Sequence, residues 1–416
     1  MKILQLSARL PYPLTDGGAI GIYNIAKALA AEGHEVTFVS FPLDDPAMTA
    51  EAVRDMSRFC RVRLTALPLP SRLRTLVRTI FRGAYPVERR MMPEMFRLLK
   101  ALVEGETFDL VHLDHSHVGK YGLWLKSEFG LPIILRQHNF ETLIYERFAK
   151  YEKSALKRIV ARVHATRLRR IETIILRGVD AVAAITEEDV ELMKAVAPDA
   201  KYCVIPAGVD LAYFALTDQS LVEKNSILWV GGLDWDPNKD AFSYFAREIL
   251  PTIFEADRTI KFRAIGSCTD QVDESSLRSC GLNEIELLGR VEDIRPFLAR
   301  SAVMVVPLRI GGGMRVKLLE FFAAGKAVVS THVGAEGNQA RDGVEVILRD
   351  NPLEFAVAVV ELLRDHVIAQ KLGRSARSLV EADYSWQKVG SSFTSLYKKV
   401  LKEEWGLAAL NERSIT

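Results

Sequence analysis

Short apolar runs alternate with amphipathic stretches along the first half of the chain. The run Lys2–Ser7 leads into the turn-forming loop LPYPLTDGG (10–18) and a helical stretch at Ala19–Ala31. Further apolar runs predict strands at 34–40, 110–113, 131–137, 181–185 and 201–206, with helical stretches between them. Strands that alternate with helices pair in parallel, so the pattern predicts a doubly wound α/β sheet.

The same pattern begins again at residue 226. The strand SILWVGG (226–232) precedes a helix predicted at Ala241–Phe254, and strands follow at 260–266, 285–289, 302–307, 326–331 and 344–348. The sequence therefore predicts two Rossmann-like domains, 1–206 and 226–386, joined by a linker at 207–225 and facing across a cleft. A helical stretch at 387–403 is a candidate to cross back to the first domain. Parallel sheets bind ligands at the carboxyl ends of their strands, so the loops of both domains are expected to line one site.

Composition narrows the class of protein. The chain has 416 residues, 49% of them hydrophobic and 26% charged, which is typical of a soluble globular protein with more than one core. Its net charge is only +2, and its basic and aromatic positions form no nucleic-acid motif. The four cysteines lie far apart without a C-x-x-C pair, which disfavours a disulfide framework and favours a reducing cytoplasm. No apolar run is long enough for a membrane span.

The stretch GGGMRVKLLE (311–320) places three charges in an apolar helix. Glycines before a helix allow an anion to approach its free N–H groups, and Arg315 and Lys317 add positive charge suited to a diphosphate. Glu320 lies about one turn later, where a carboxylate can accept hydrogen bonds from two vicinal hydroxyls, such as those of a ribose. The spacing therefore indicates a nucleotide site. The alternative is a surface salt bridge between Lys317 and Glu320, with Arg315 in solvent, but charges among large apolar neighbours are costly unless paired or liganded.

Several motifs together resemble a known enzyme family. IGGGMRVKLLEFFAAGKAVVST…GAEG, VGGLDWDPNKDAF, HNFE, IPAGVD and the terminal YSW are similar to the retaining GT-B glycosyltransferases of family 4, in the branch of exopolysaccharide-cluster sugar transferases. The likeness covers nearly the whole chain and is strongest at 227–337. It implies transfer of a hexose from a nucleoside-diphosphate sugar to a lipid-linked or polysaccharide acceptor, with retention, at the inner face of the cell membrane. It implies no cofactor other than this co-substrate, and no metal.

The resemblance also implies roles for individual residues. Glu320 would hold the ribose, and His138 would hydrogen-bond the donor sugar beside the reacting centre. Lys239 matches the family's diphosphate-binding lysine.

Two positions depart from the family pattern. Leu233 stands where the family has an arginine that also binds the diphosphate, so we expect Arg315 and Lys317 to supply the missing charge. Gly312 stands where the family has a first glutamate that contacts the donor sugar, which leaves the identity of that sugar open.

The remaining candidate residues follow predicted strand ends. Those expected to contact the donor are Gly17, Gly18, Gly232, Arg290, Val291, Gly312, Gly313 and Met314, and those expected to support a loop or the acceptor are Asn139, Glu141 and Asp210. The glycine pair fits a plain loop equally well, and Arg290 could instead pair with Glu292 on the surface. His112, His115 and His117 with Asp114 suggest a metal site, which the chemistry does not need where cations and helix termini already neutralise a diphosphate.

The segment 71–100 is basic and amphipathic, and 145–177 is also basic and helical. Such helices bind anionic bilayers, which fits a lipid-linked acceptor; solvated helices around the acceptor site are the alternative. Two other functional classes remain open, namely a sugar-nucleotide epimerase or hydrolase, and a catalytically silent module that binds a nucleotide sugar.

Overall fold

The computed structural model describes residues 1–14, 17–66, 84–151, 154–216, 218–272, 284–311 and 313–402. These residues form two compact units. Unit 1 comprises Met1–Pro206 and the chain from Val389 onward, and unit 2 comprises Ala207–Lys388.

Unit 1 is built on a seven-stranded parallel sheet in the order β3-β2-β1-β4-β5-β6-β7. Its strands are β1 Lys2–Ser7, β2 Glu35–Ser40, β3 Arg61–Leu64, β4 Leu110–Asp114, β5 Ile133–Gln137, β6 Ala181–Ala184 and β7 Tyr202–Val204. All residues of β4, β5 and β6 are buried, because helices cover both faces of a parallel sheet. The change in strand order between β1 and β4 places the loops after these strands at a switch point, where such sheets bind ligands.

The helices of unit 1 connect these strands. Within the described residues they are α1 Gly17–Ala31, α2 Pro46–Met56, α3 Tyr85–Glu88, α4 Pro93–Gly105, α5 Gly119–Phe129, α6 Glu141–Tyr151, α7 Ala155–Gly178 and α8 Glu187–Lys194. Close packing of α5 on α7 requires a glycine, since a Cβ atom at Gly119 would lie 2.6 Å from Cδ1 of Ile175. After β4, the 3-10 turn Ser116–Val118 leads into α5.

Unit 2 contains a six-stranded parallel sheet in the order β10-β9-β8-β11-β12-β13. Its strands are β8 Glu223–Val230, β9 Lys261–Ile265, β10 Ile285–Leu287, β11 Ser301–Val306, β12 Ala327–Ser330 and β13 Ile347–Leu348. The helices that start in this unit are α9 Asp236–Tyr244, α10 Leu250–Ala256, α11 Arg295–Arg300, α12 Val316–Ala323, α13 Pro352–Arg364, α14 His366–Asp383 and α15 Trp386–Leu401. From Val389 onward α15 belongs to unit 1, where Phe393 and Tyr397 are fully buried.

The prediction of two parallel α/β sheets is confirmed, with differences in detail. The predicted single helix Ala241–Phe254 is wrong: α9 starts earlier, at Asp236, and a π-helical segment Phe245–Ile249 separates it from α10. Pro251 in the first turn of α10 lacks the N–H that a continuous helix would use, which explains the irregular segment before it.

Two strands also differ from the prediction. β3 was not predicted, because its sequence RVRL alternates charged and apolar residues at the sheet edge, and β13 is much shorter than the predicted 344–348. Within the described residues, no helix combines the length and apolar character needed to span a bilayer.

Candidate active site

In unit 2, three charged residues lie at the start of α12 and are called the α12 site below: Arg315, Lys317 and Glu320. Arg315 is the N-cap residue, and no side chain within the described residues caps the helix. The N–H of Leu318 is bonded to the carbonyl of Arg315 at 3.0 Å, which leaves the N–H groups of Val316 and Lys317 for an anion. The loop before it is shaped for close approach. Gly313 has φ +74°, a conformation that favours glycine, and a Cβ atom at Gly311 would collide with the guanidinium of Arg315.

Lys317 and Glu320 are half-buried beside the end of the central strand. Nζ of Lys317 donates a hydrogen bond to the carbonyl of Val230, 2.6 Å away, at the carboxyl end of β8. Burial lowers the pKa of Lys317, and Glu320 acts in the opposite direction. Burial raises the pKa of Glu320 to about 7 in spite of Lys317, and its carboxylate accepts no hydrogen bond from the described part of the chain. The alternative of a solvent-exposed salt bridge therefore does not describe these residues, because neither is on an exposed face.

The loop after β8 places Lys239 on the surface. Its side chain is 56% exposed, and Nζ lies 3.2 Å from a carboxylate oxygen of Asp236 in the first turn of α9. Leu233 is buried in the core of unit 2 and donates its N–H to the carbonyl of Ser267. The position that carries an arginine in the family is thus an inward-facing apolar residue here.

Glycines also allow the loops after β8 and β9 to meet. Gly266 has φ +148°, and a Cβ atom there would lie 1.9 Å from the carbonyl oxygen of Gly231. The carbonyl of Gly232 accepts a hydrogen bond from Asn238, and a Cβ atom at Gly232 would collide with Asp234 and Ser267.

The other donor-side candidates lie around these loops. Arg290 is exposed. The pKa of Asp234 is lowered mainly by hydrogen bonds from Ser267 and the backbone, and the charge of Arg290 lowers it further by a smaller amount. Val291 and Met314 are half-buried and pack on the core. Asp210 accepts hydrogen bonds from the N–H groups of Ala212 and Tyr213, so its carboxylate holds its own turn. Gly312 lies outside the described residues.

In unit 1, the side chain of His138 joins a buried charged network after β5. Its Nε2 accepts a hydrogen bond from Nη1 of Arg136 at 2.6 Å, and Asp114 lies 3.9 Å away, beyond hydrogen-bond distance. Burial and the charge of Arg136 lower the pKa of His138 to about 3. The imidazole is therefore neutral at pH 7, with Nδ1 as the nitrogen that carries the proton while Nε2 accepts.

Asp114 connects this network to the core of unit 1. It accepts hydrogen bonds from Gln5 and His112, and Nη1 of Arg136 lies 3.4 Å away. Burial by itself would raise the pKa of Asp114, but His112, His138 and Arg136 together lower it well below its usual range. The other ring nitrogen of His112 contacts the hydroxyl of Tyr397 at 2.6 Å. His112 and Asp114 are thus committed to a core network and do not form a metal site with His115 and His117.

Glu141 binds two histidines at the start of α6. Oε1 lies 3.1 Å from Nε2 of His115, and Oε2 lies 2.6 Å from Nε2 of His117. Burial acts to raise the pKa of Glu141, but the two histidines lower it well below its usual range. Burial and the neighbouring His115 lower the pKa of His117 to about 3, against the effect of Glu141. Asn139 contributes its backbone carbonyl, which accepts a hydrogen bond from Gln137.

A buried carboxylate that was not predicted, Glu172, holds the loop after β5. It accepts hydrogen bonds from the side chain of Gln137, the N–H groups of Glu141 and Thr142, and the hydroxyl of Thr142. Burial raises the pKa of Glu172 to about 7, although Thr142 acts to lower it. Because the surrounding sequence is basic and polar, Glu172 is easily interpreted as a solvent-exposed residue. Its helical spacing from Leu168, Ile175 and Leu176 nevertheless places it on the buried face of α7.

The predicted glycine pair lies at the start of α1, with Gly17 exposed and Gly18 half-buried. Farther along the same helix, a Cβ atom at Gly21 would lie 2.9 Å from Nη2 of Arg136. The N-terminal part of α1 thus packs directly on the guanidinium that contacts His138. Arg136 was not singled out from the sequence, although a charged residue ending the apolar strand LPIILRQ was a usable signal.

Comparison with known proteins places this arrangement in a family. A family model described as "Glycosyltransferase Family 4" matches residues 15–213, and one described as "Glycosyl transferases group 1" matches residues 224–365. An "Uncharacterized 44.6 kDa protein in cps region" of Klebsiella pneumoniae is 20% identical over 96% of this chain and 99% of its own length.

Solved structures share the fold. A sucrose-phosphate synthase of Thermosynechococcus elongatus superposes with a TM-score of 0.68 at 18% identity, over 97% of this chain and 100% of that one. HepE of Anabaena, solved with UDP and glucose, gives a TM-score of 0.65 at 15% identity, over 96% and 100%. One matched model covers most of unit 1 and the other most of unit 2, and both units carry the parallel sheets of the GT-B fold. The chain therefore belongs to the family 4 glycosyltransferases.

Proposed function

We propose that this enzyme transfers a hexose from a nucleoside-diphosphate sugar to a lipid-linked or polysaccharide acceptor, with retention, in the synthesis of a cell-surface polysaccharide. The observation that carries the proposal is the α12 site. It combines an uncapped helix start, two positive side chains and a carboxylate without a hydrogen-bond donor from the described chain. Cations and N–H groups suit a diphosphate, and the carboxylate suits the two hydroxyls of a ribose.

The donor class has additional support from the relatives. HepE of Anabaena, which shares the fold, was solved with UDP and glucose, and the Klebsiella relative is named for a cps region. Both likenesses are below 25% identity and Gly312 replaces the glutamate that contacts the sugar in the family, so the assay covers several bases and sugars.

The proposed mechanism is mainly electrostatic. As the bond between sugar and diphosphate breaks, negative charge grows on the leaving group, and Lys317, Arg315 and Lys239 with the start of α12 stabilise it. The leaving phosphate accepts the proton of the acceptor hydroxyl, so no protein side chain acts as general base. In unit 1, the neutral imidazole of His138 would hydrogen-bond the donor sugar, held in place by Arg136.

The activity can be tested with a panel of UDP- and GDP-sugars and an extract of bacterial membrane lipids. We expect nucleoside diphosphate release that depends on the lipid, and a glycolipid product whose mass and anomeric configuration show a retained hexose. Release without acceptor would instead indicate a hydrolase, conversion of the donor to an isomer would indicate an epimerase, and donor binding without turnover would indicate a silent module.

We also propose that unit 1 contacts an anionic membrane, which suits a lipid-linked acceptor. Residues 71–83 of the basic segment 71–100 lie outside the described residues. The helix α7 supports the proposal independently, because Ile159, Val160 and Val163 are exposed beside basic side chains of the same helix.

Sedimentation with vesicles tests this contact. Vesicles that contain phosphatidylglycerol should bind the protein, pure phosphatidylcholine vesicles should bind much less, and Val160→Glu should weaken binding. Equal binding to both vesicle types, or no effect of the substitution, would contradict the proposed surface.

A further inference from the structure

Three metal-ligating side chains of unit 1 converge beside the loop that carries His138. We call them the His–Glu cluster: His115, His117 and Glu141. One ligand atom from each lies within 4.8 Å of the other two. The carboxylate bridges the two rings, 3.1 Å from Nε2 of His115 and 2.6 Å from Nε2 of His117.

The local backbone brings the two imidazoles together. His115 has φ +87°, a conformation that is rare and strained for a residue with a side chain, immediately before the 3-10 turn Ser116–Val118. The result is a pair of rings with centroids 3.8 Å apart and planes inclined by 32°, both with Nε2 toward Glu141. Strain of this kind persists where the surroundings hold a side chain in a required position, and here that position completes a three-ligand set.

We propose that the His–Glu cluster binds a divalent transition metal ion, with Zn²⁺ as the best-suited species. Two imidazoles and one carboxylate form a donor set that zinc accepts, and they leave a fourth coordination position for water. This proposal is independent of sugar transfer, and the ion takes no part in that reaction.

The distances are close to those that coordination needs. Ligand atoms about 2.0–2.1 Å from a tetrahedral zinc ion lie roughly 3.3 Å from one another. His117 and Glu141 would therefore separate by less than about 1 Å, and His115 and Glu141 by less than that. The three side chains are 12–16% exposed, so the ion can reach them from solvent without unfolding of the unit.

Of the residues around the His–Glu cluster, some favour metal binding and others oppose it. Nδ1 of His115 accepts a hydrogen bond from the N–H of His117 at 3.4 Å, so Nε2 carries the ring proton in the metal-free protein. The hydroxyl of Ser116 also lies 3.4 Å from Nδ1 and can accept a proton there once a metal ion takes Nε2. The charge of Arg90 contributes, after burial, to the lowered pKa of His117, and Glu141 in turn acts against burial to raise the pKa of Arg90, so this positive charge is close enough to oppose cation binding. The single carboxylate of Glu141 offsets that charge, so we expect reversible binding that a chelator removes.

A bound ion would join two elements on either side of the His138 loop. It would tie the turn 116–118 to the start of α6, and the ring of His138 has its centroid 5.3 Å from that of His115. The ion would thus stabilise the position of His138 without contacting the donor. The expected consequence is a higher melting temperature of the loaded protein.

Zinc retention by the purified, tag-free chain tests the site. The protein is stripped with a chelator, incubated with Zn²⁺ alone, freed of excess metal by gel filtration and analysed for zinc per chain. We expect the native chain to retain one ion and to melt at a higher temperature when loaded. His117→Ala and Glu141→Gln should weaken zinc binding at least tenfold and abolish the thermal shift. Substitution of residues that only hydrogen-bond to the ligands of a metal site already lowers metal affinity by about 10–100-fold, and loss of a ligand should cost no less.

The matched control is His332→Ala, which removes an exposed histidine that pairs with Asp350 in unit 2. It should retain zinc as the native chain does. Failure of the native chain to retain zinc, or equal retention by Glu141→Gln, would overturn the proposal. If His117→Ala does not fold, Glu141→Gln decides the question, because glutamine keeps the size and a hydrogen-bond acceptor while it removes the anionic ligand.

Discussion

Two carboxyl groups, Glu172 in unit 1 and the half-buried Glu320 in unit 2, have a pKa raised to about 7 by burial, yet their surroundings differ completely. Glu172 in unit 1 accepts four hydrogen bonds from the chain around it. Glu320 in unit 2 accepts none from the described residues, and Lys317 beside it donates to a backbone carbonyl instead. A carboxylate whose partners are all internal maintains the fold, whereas one that is desolvated without partners is ready for a ligand.

The same contrast extends to the positive charges. Arg136 in unit 1 is buried against Asp114 and His138, while Arg315 and Lys317 in unit 2 lie at an uncapped helix start. We therefore expect substitutions of Asp114 and Glu172 in unit 1 to affect mainly stability and substitutions at the α12 site to affect mainly donor use.

The largest effect is expected for Lys317→Met. This change keeps most of the apolar stem and removes the charge, and loss of one preorganised group at a developing anion costs on the order of 10²–10³-fold in turnover. The measurement is kcat/KM for the donor in the acceptor-dependent assay. Lys371→Met, at an exposed lysine of α14 in the same unit, is the control and should leave the rate unchanged. Equal activity of both variants would contradict the role of the α12 site.

A large effect on stability, rather than on donor use, is expected for Asp114→Asn in unit 1. The change leaves Arg136 buried without its anionic partner, and breaking a buried pair in this way costs about 3–5 kcal/mol of unfolding free energy. Equilibrium urea unfolding measures the loss. Glu94→Gln breaks the exposed pair with Arg97 and should cost no more than about 0.5 kcal/mol. Similar losses of unfolding free energy in the two variants would contradict the claim that the buried ion pair matters more for stability than the surface pair.

An intermediate effect is expected for the pH dependence of donor binding. The ribose hydroxyls donate to the ionised form of Glu320, whose pKa is raised to about 7, so affinity should increase as pH rises through that value. For a pKa near 7 the ionised fraction, and with it the affinity, rises about tenfold between pH 6 and pH 8. Titration with a nucleotide sugar is suitable, because its phosphates keep a constant charge over this range. Glu320→Gln should bind weakly at every pH; a persistent slope in that variant would assign the titration to another group.

The smallest effect on donor use is expected for Glu172→Gln, which should change stability alone. The folded-state pKa of Glu172, about 7, lies above its unfolded value, so the folded protein binds the proton more tightly. Its contribution to stability is therefore complete below about pH 4.5 and decreases as pH rises toward 7. Urea midpoints measured from pH 5 to pH 7 should fall less steeply in the variant. The pH dependence of donor affinity should be the same in the variant as in the native chain. A changed pH dependence would show that Glu172 influences the titration of Glu320.

The sheets were predictable because the central strands are continuous apolar runs, such as IIL in β5 and VMVV in β11, bounded by turn residues. The edge strand β3 was not, because its charged residues hide the pattern, and the π-helical segment depends on how one proline is accommodated. At the candidate site, the charges of α12 were recognisable from their apolar neighbours. The roles of Arg136 and Glu172 depend on contacts with Asp114 and Gln137, which lie 22 and 35 residues away along the chain, and residue spacing does not specify such contacts.

The last helix has a consequence for synthesis on the ribosome. Tyr397 is fully buried in unit 1, where its hydroxyl meets His112, and Gly390 packs directly on Ala28. All of unit 2 is translated before these residues emerge. Part of the apolar core of unit 1 therefore stays exposed on the nascent chain until the last helix has been synthesised. During this interval the chain is most in need of a chaperone.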